Sequence, residues 1–266
     1  MKVTCSRCHE LFDTRDGFVA DNGECYCKGC CAVQPYFTRN NNIIGNLETG
    51  LKTYGFELEG VPRSTDAYFH MLKREYGIIP TYDSSLPKNG VEFKTSIYVG
   101  LDEFEKILPK FAEWIDFSDD KCGQHINIGA TYLTPQNIRD FDEYGHQILS
   151  KLLRYMGKHK EDTERVCGRA FTEYAKRAST CHSHKNWVNV HANRIEFRLS
   201  KFRSVEQYIN LAKMWSDMLD EINKNFFEKI IPGKTGVSGR AQLIDEFSGN
   251  LVEIFKTYSL LSSLPH

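Results

Sequence analysis

Apolar residues recur along this chain with two different periods. A spacing near 3.6 residues, which lines side chains along one face of a helix, runs over 66–76 with Tyr68, Phe69, Met71, Leu72 and Tyr76. It returns over 102–115 with Phe104, Ile107, Leu108, Phe111 and Trp114. Pro109 falls inside that second stretch and predicts a kink, because proline removes one helical hydrogen bond. Thr134-Pro135 reads as an N-cap followed by proline in the first turn, and it opens a helix carrying Ile138, Phe141, Ile148, Leu149, Leu152 and Leu153. Residues 204–227 predict a further helix with Tyr208, Leu211, Ala212, Trp215, Leu219 and Ile222 inward. Beyond a loop over 233–239, a last helix is expected to reach Tyr258. These helices read as scaffold.

The second period is two, the alternation of a strand. Phe56 and Leu58 oppose Glu57 and Glu59; Val91 and Phe93 oppose Glu92 and Lys94. Ile126 and Ile128 oppose His125 and Asn127; Ile195, Phe197 and Leu199 oppose Arg194, Glu196 and Arg198. One such strand is ordinary for a half-solvated antiparallel sheet. Four of them, with polar faces made of Glu, His, Asn and Arg plus one Lys, form a chemical pattern. If they share a sheet, the carboxylates converge, and divalent cations would offset their repulsion. The neighbouring arginines suit phosphate oxygens. Strands mixed with helices predict an α+β fold, a mainly antiparallel curved sheet with helices on its outer face.

Composition narrows the class. Hydrophobic residues make up 41% and charged residues 26%, which argues for a globular chain rather than a disordered one. A net charge of −1 argues against general affinity for nucleic acid or membrane. The balance is uneven: residues 151–203 hold 13 Lys and Arg against 5 Asp and Glu, either a solvated surface or a cationic wall facing phosphates or carboxylates. No apolar run approaches the roughly 18 residues of a membrane span. The opening residues lack the apolar core of an export signal. A cytoplasmic location is therefore expected.

Six of the nine cysteines lie within the first 31 residues. Cys5-x-x-Cys8 and Cys27-x-x-Cys30 are separated by 18 residues, the spacing of a zinc site in which two tight turns aim four thiolates at one ion. Cys25, Cys31 and His9 are alternatives for one ligand position. Phe12, Phe18, Val19 and Tyr26 supply too small a core to fold without metal. Residues 1–34 are thus expected to be a structural zinc module, able to dock a protein or nucleic-acid partner. Residues 35–47, with Arg39-Asn40-Asn41-Asn42, read as a linker, and 48–266 as the catalytic domain.

The ordered set Gly55-x-Glu57-x-Glu59, Asp83-x-Ser85-Leu86, Val91-Glu92-Phe93, Gly123-x-His125-x-Asn127 and Ile195-Glu196-Phe197-Arg198 resembles the amidoligase family. That family belongs to the glutamine synthetase-like carboxylate–amine ligases. The resemblance spans roughly residues 53–215 and implies a glutamine synthetase-like fold, with the site on the concave face of the sheet. It implies Mg²⁺ or Mn²⁺ ligands at Glu57, Glu59, Glu92, His125 and Glu196. It places Asp83 beside the acceptor or metal site, and His125 and Asn127 at the metal–nucleotide assembly. Arg198 and Arg169 would grip the transferred phosphate, with Tyr174 beside Arg169 and Lys185 as a further phosphate contact. In one position the chain departs from the pattern: Asn127 stands where the family often has a second histidine, so a proton-transfer role there is in doubt.

The implied activity is ATP-dependent amide formation between a carboxylate and an amine, whether small molecules, peptides or proteins. Two other readings stay open: an ATP-dependent phosphotransferase acting on a nitrogen acceptor, and a zinc-anchored binding protein whose catalytic sheet has decayed. Cys181, His182 and His184 read as a solvated cluster, and Cys122 and Cys167 as buried thiols.

Overall fold

The alternating segments form strands, and their mates in the sheet are antiparallel with one exception. The structure, a computed structural model, describes residues 2–5, 9–13, 17–19, 25–27, 43–44, 52–72, 76–81, 83–173, 175–177, 185–229 and 237–263. The chain divides into two units, Met1–Gln124 and His125–His266, each combining helices with strands, so the α+β class holds for both. The predicted linker over 35–47 lies outside the described residues except for Ile43–Ile44.

In the first unit, β1 (Lys2–Thr4) pairs with β2 (Leu11–Asp13), and β3 (Gly17–Val19) with β4 (Cys25–Cys27). The larger sheet is built on β6 (Lys52–Pro62), an 11-residue strand. Its central part pairs with β8 (Val91–Lys94), which in turn pairs with β7 (Ile79–Thr81). The start of β6 pairs with β9 (Ile97–Val99) and its end with β10 (Ile115–Asp116). The exception is β5 (Ile43–Ile44), which runs parallel to β9.

Two helices of this unit lie among the described residues. Ser64 caps α1 (Thr65–Met71) by accepting a hydrogen bond from the Ala67 amide at 2.9 Å. The helix is shorter than the periodicity predicted, ending at Met71. The second helix, α2 (Asp102–Trp114), holds Pro109 inside it. The apolar faces meet as expected: Phe56 stacks on Phe104 with ring centroids 3.5 Å apart, and Phe93, Leu108 and Phe111 are buried. Gly60 permits β10 to lie close, since a Cβ there would stand 2.2 Å from Ile115 Cγ2.

The second unit has a three-stranded antiparallel sheet: β13 (Arg194–Phe197) runs between β11 (Gln124–Ala130, whose first residue closes the first unit) and β12 (Val188–His191). Thr134 caps α3 (Pro135–Lys158) through the Asn137 amide, with Pro135 in its first turn, as the sequence predicts. A short α4 (Lys160–Cys167) follows and ends on Gly168, whose φ of 73° is left-handed. The expected helix over 204–227 is α5 (Val205–Ile222), capped by Ser204, continued by one π-helical turn at Asn223–Phe227. The last helix, α6 (Val237–Leu261), begins before Gly239, so the predicted loop ends earlier than expected. Phe197 on β13 stacks on Trp215 of α5 at 4.8 Å, which joins sheet and helix in one core. No described helix is long and apolar enough to cross a membrane.

Candidate functional site

The apolar residues of the four patterned strands are buried, and so is most of the opposite, polar face. Glu59 is 5% exposed, Glu92 9%, His125 3%, Asn127 7% and Glu196 4%. An ordinary half-solvated sheet would leave these residues in water. Carboxylates are rarely buried so fully without partners, which makes their surroundings informative in each unit.

In the first unit, Glu59 on β6 and Glu92 on β8 are cross-strand partners in register. Asp83, on the loop after β7, brings a third carboxylate: one oxygen from each of Glu59, Asp83 and Glu92 lies within 4.8 Å of the others. Each is held from its own side. Gly123 donates its amide to Glu59 Oε2 at 2.5 Å, and Gln124 Nε2 donates to the Glu59 carbonyl at 2.7 Å. Asp83 accepts the Ser85 amide at 2.7 Å in a local turn. Thr81, the register partner of Glu92 on β7, donates its hydroxyl to Glu92 Oε1 at 2.5 Å, and Lys94 Nζ stands 3.2 Å from the same oxygen.

Burial pushes the Glu92 carboxyl above its ordinary value. The charge of Glu57 pushes the same way and Glu59 adds to it, while Lys94 and the Thr81 hydroxyl oppose them. The balance is unfavourable to the charged carboxylate, and the three oxygens are close enough together to hold a cation. Three hard oxygen donors suit Mg²⁺ or Mn²⁺ and not a thiophilic metal. Glu57, two residues before Glu59 on the same face, is half-buried.

In the second unit the situation is reversed. Asn127, Glu196 and Asn189 form one cross-strand row over β11, β13 and β12. Glu196 Oε1 accepts from Arg198 NH1 at 2.8 Å, and His125 Nδ1 stands 3.4 Å away. Glu196 Oε2 accepts from Asn189 Nδ2 at 3.0 Å, with His191 Nε2 also at 3.0 Å. Burial alone would raise the Glu196 carboxyl. The hydrogen bond from His191, the charges of His125 and Arg198, and the Asn189 amide outweigh it and hold the group well below the usual carboxylate range. Arg198 NH1 also lies 3.3 Å from His125 Nδ1, so one guanidinium is steadied by two neighbours.

Other expected residues fall elsewhere. Arg169 is buried on the connection after α4, its NH2 3.3 Å from Thr172 Oγ1, and is not on the three-stranded sheet. Lys185 is exposed on the chain leading into β12. Tyr174, Cys8, Cys30, Cys181, His182 and His184 lie outside the described residues. Of the other proposed zinc ligands, Cys5 is buried and its Sγ accepts the Cys27 amide at 3.4 Å, which brings one cysteine from each pair together. The His9 amide donates to the Cys5 carbonyl at 2.9 Å, and His9 has a left-handed φ of 61°. Cys122 and Cys167 are buried thiols, as expected, and burial pushes the Cys167 thiol far up.

Thr81, Asn189 and His191 are absent from the sequence-based site. For the last two a signal existed: Val188-Asn189-Val190-His191 alternates apolar and polar residues as the four chosen segments do. Thr81 carries no such signal, since its role depends on the register between β7 and β8. No protein-family model matches this chain, and no curated protein matches it either.

Proposed function

We propose that this chain is an ATP- and divalent-cation-dependent carboxylate–amine ligase of the amidoligase type, with a zinc-binding N-terminal module. The observation that carries the reading is the acidic group of buried Glu59 and Glu92 with half-buried Asp83, whose oxygens lie within 4.8 Å of one another and in which Glu92 is pushed toward protonation. Such a group is costly to keep charged unless a cation joins it.

In this reading Glu59, Asp83 and Glu92 hold Mg²⁺, with Glu57 beside them. The ion would supply charge neutralisation at phosphate oxygens. Arg198 binds a transferred phosphoryl group, kept in orientation by Glu196 and His125; Arg169 and Lys185 add positive charge. Glu196 is expected to act through Arg198, because its oxygens are already engaged by protein donors.

The reaction balances as follows. A substrate carboxylate oxygen attacks the γ-phosphorus of ATP and ADP leaves, giving an acyl phosphate. An amine then attacks the acyl carbon, inorganic phosphate leaves, and the amine loses one proton. Cys5, Cys8, Cys27 and Cys30 hold zinc as a structural unit.

The test is an ATP-turnover screen over acids and amines with Mg²⁺, read by ADP release and product mass. An amide that appears only with ATP supports the proposal. A stable phosphorylated amine would replace it with the phosphotransferase reading. Absence of any nucleotide turnover or Mg²⁺ binding, in protein shown to be folded, would overturn it.

A further inference from the structure

Seven polar side chains share one face of the three-stranded sheet in the second unit: His125, Asn127, Asn189, His191, Arg194, Glu196 and Arg198. Glu196 is the one carboxylate among them, and it is taken by Arg198, Asn189 and the two histidines. Arg194 is treated differently. It closes the β12–β13 hairpin opposite His191, with the exposed Ala192 and Asn193 forming the turn. Its Nε donates to Asn127 Oδ1 at 2.8 Å. Among the described residues its two terminal nitrogens have no partner, and the side chain is half-exposed rather than buried.

A guanidinium held at Nε and open at NH1 and NH2 is half of a bidentate oxyanion clamp. Anchoring at Nε removes much of the rotamer freedom that an arginine otherwise loses on binding. The bond also gives Asn127 a use that a histidine would serve less well. Its amide oxygen is an acceptor at every pH, whereas an imidazole stops accepting once it is protonated.

We propose that Arg194, oriented by Asn127, is an oxyanion-binding subsite that takes a carboxylate or phosphate group through its open fork. That this oxyanion belongs to a substrate rests on the ligase reading; the binding itself does not.

The experiment is calorimetric titration of the full chain, at fixed ionic strength, with pyrophosphate and separately with glutarate. No nucleotide or divalent cation is present. Saturable binding of either probe is expected, and which probe binds distinguishes a phosphate group from a substrate carboxylate. R194Q should weaken that binding by about ten-fold or more, the loss of charge-assisted hydrogen bonds. R194K should lose most of it, because a point charge lacks the fork. N127A should weaken it less than R194Q does.

Binding of neither probe overturns the proposal. So does wild-type affinity in R194Q or R194K, with folding of each variant checked by thermal melting. If the subsite binds as expected while no ATP turnover is found, the ligase reading fails and the subsite stands. If turnover is found but R194Q binds the probes as wild type does, the subsite alone fails.

Discussion

Arg198 and Glu196 stand two residues apart on one face of the polypeptide, and the guanidinium donates to the carboxylate at 2.8 Å with both side chains largely withdrawn from water. The pair is the reverse of the acidic group in the first unit. Here a carboxylate is surrounded by donors; there, oxygens of three carboxylates lie within 4.8 Å of one another. The contrast yields opposite expectations for neutralising a glutamate.

Glu196→Ala leaves Arg198 and two imidazoles without their acceptor. Breaking a buried pair by removing one partner costs about 3–5 kcal/mol. Urea unfolding at neutral pH should show a loss of that size. The carboxyl is depressed in the folded state, so its contribution is present above its unfolded value, about 4.3, and is lost as pH falls through the lower folded value. The difference between wild type and Glu196→Gln should therefore shrink as pH falls below about 4.3.

Glu92→Gln should do the opposite in protein stripped of divalent ions. The carboxyl is raised by burial and by Glu57, so the folded state holds its proton more tightly than the unfolded chain. Stability then increases as pH falls through the folded value toward the unfolded one, about 4.3, and neutral glutamine mimics the protonated form. The melting temperature should rise, by about 2–4 °C for each kcal/mol of repulsion relieved. Added Mg²⁺ should stabilise the wild type and have no effect on Glu92→Gln; stabilisation of the variant by Mg²⁺ would remove this residue from the proposed cation site.

Thr81→Val tests the second layer around the same carboxylate. Valine keeps the shape and deletes the hydroxyl that donates to Glu92 Oε1. The cost should be about 1–3 kcal/mol for a buried acceptor that loses a donor. Mg²⁺ affinity should fall by about ten-fold, within the range seen for outer-layer partners. Calorimetry reads both.

The proposed zinc module predicts about one zinc per chain, bound by four thiolates. Elemental analysis of the purified chain checks this. Cys27→Ser should lower occupancy, and a chelator should raise proteolysis within residues 1–34 before it affects the rest of the chain.

Gly168→Ala tests a close approach. The backbone there is left-handed, and a Cβ would stand 2.0 Å from the Lys201 carbonyl oxygen. That oxygen is backbone and not a flexible side-chain end, so a stability loss of about 2 kcal/mol or more is expected in thermal melting.

What was legible in the sequence was set by local rules. Ser64, Thr134 and Ser204 announce helix starts because an N-cap needs only its own turn to form. Phe56, Leu58, Ile126 and Ile128 announce strands because side chains alternate along any extended backbone. The same logic points at Glu59, Glu92, Asn127 and Glu196 as members of polar faces, whatever strand lies beside them.

Register and burial were decided only by the tertiary structure. Thr81 meets Glu92, and Asn189 meets Glu196, because particular strands align at particular residues, and pairing across a sheet leaves no trace in the spacing along one segment. The same holds for charge: Glu92 and Glu196 are both strand glutamates in Val-Glu-Phe and Ile-Glu-Phe, nearly identical in sequence. One is raised and the other depressed because the first lies among carboxylates and the second among an arginine, two histidines and an asparagine. Electrostatic environment is a sum over neighbours in space, and a chain records only its neighbours in order.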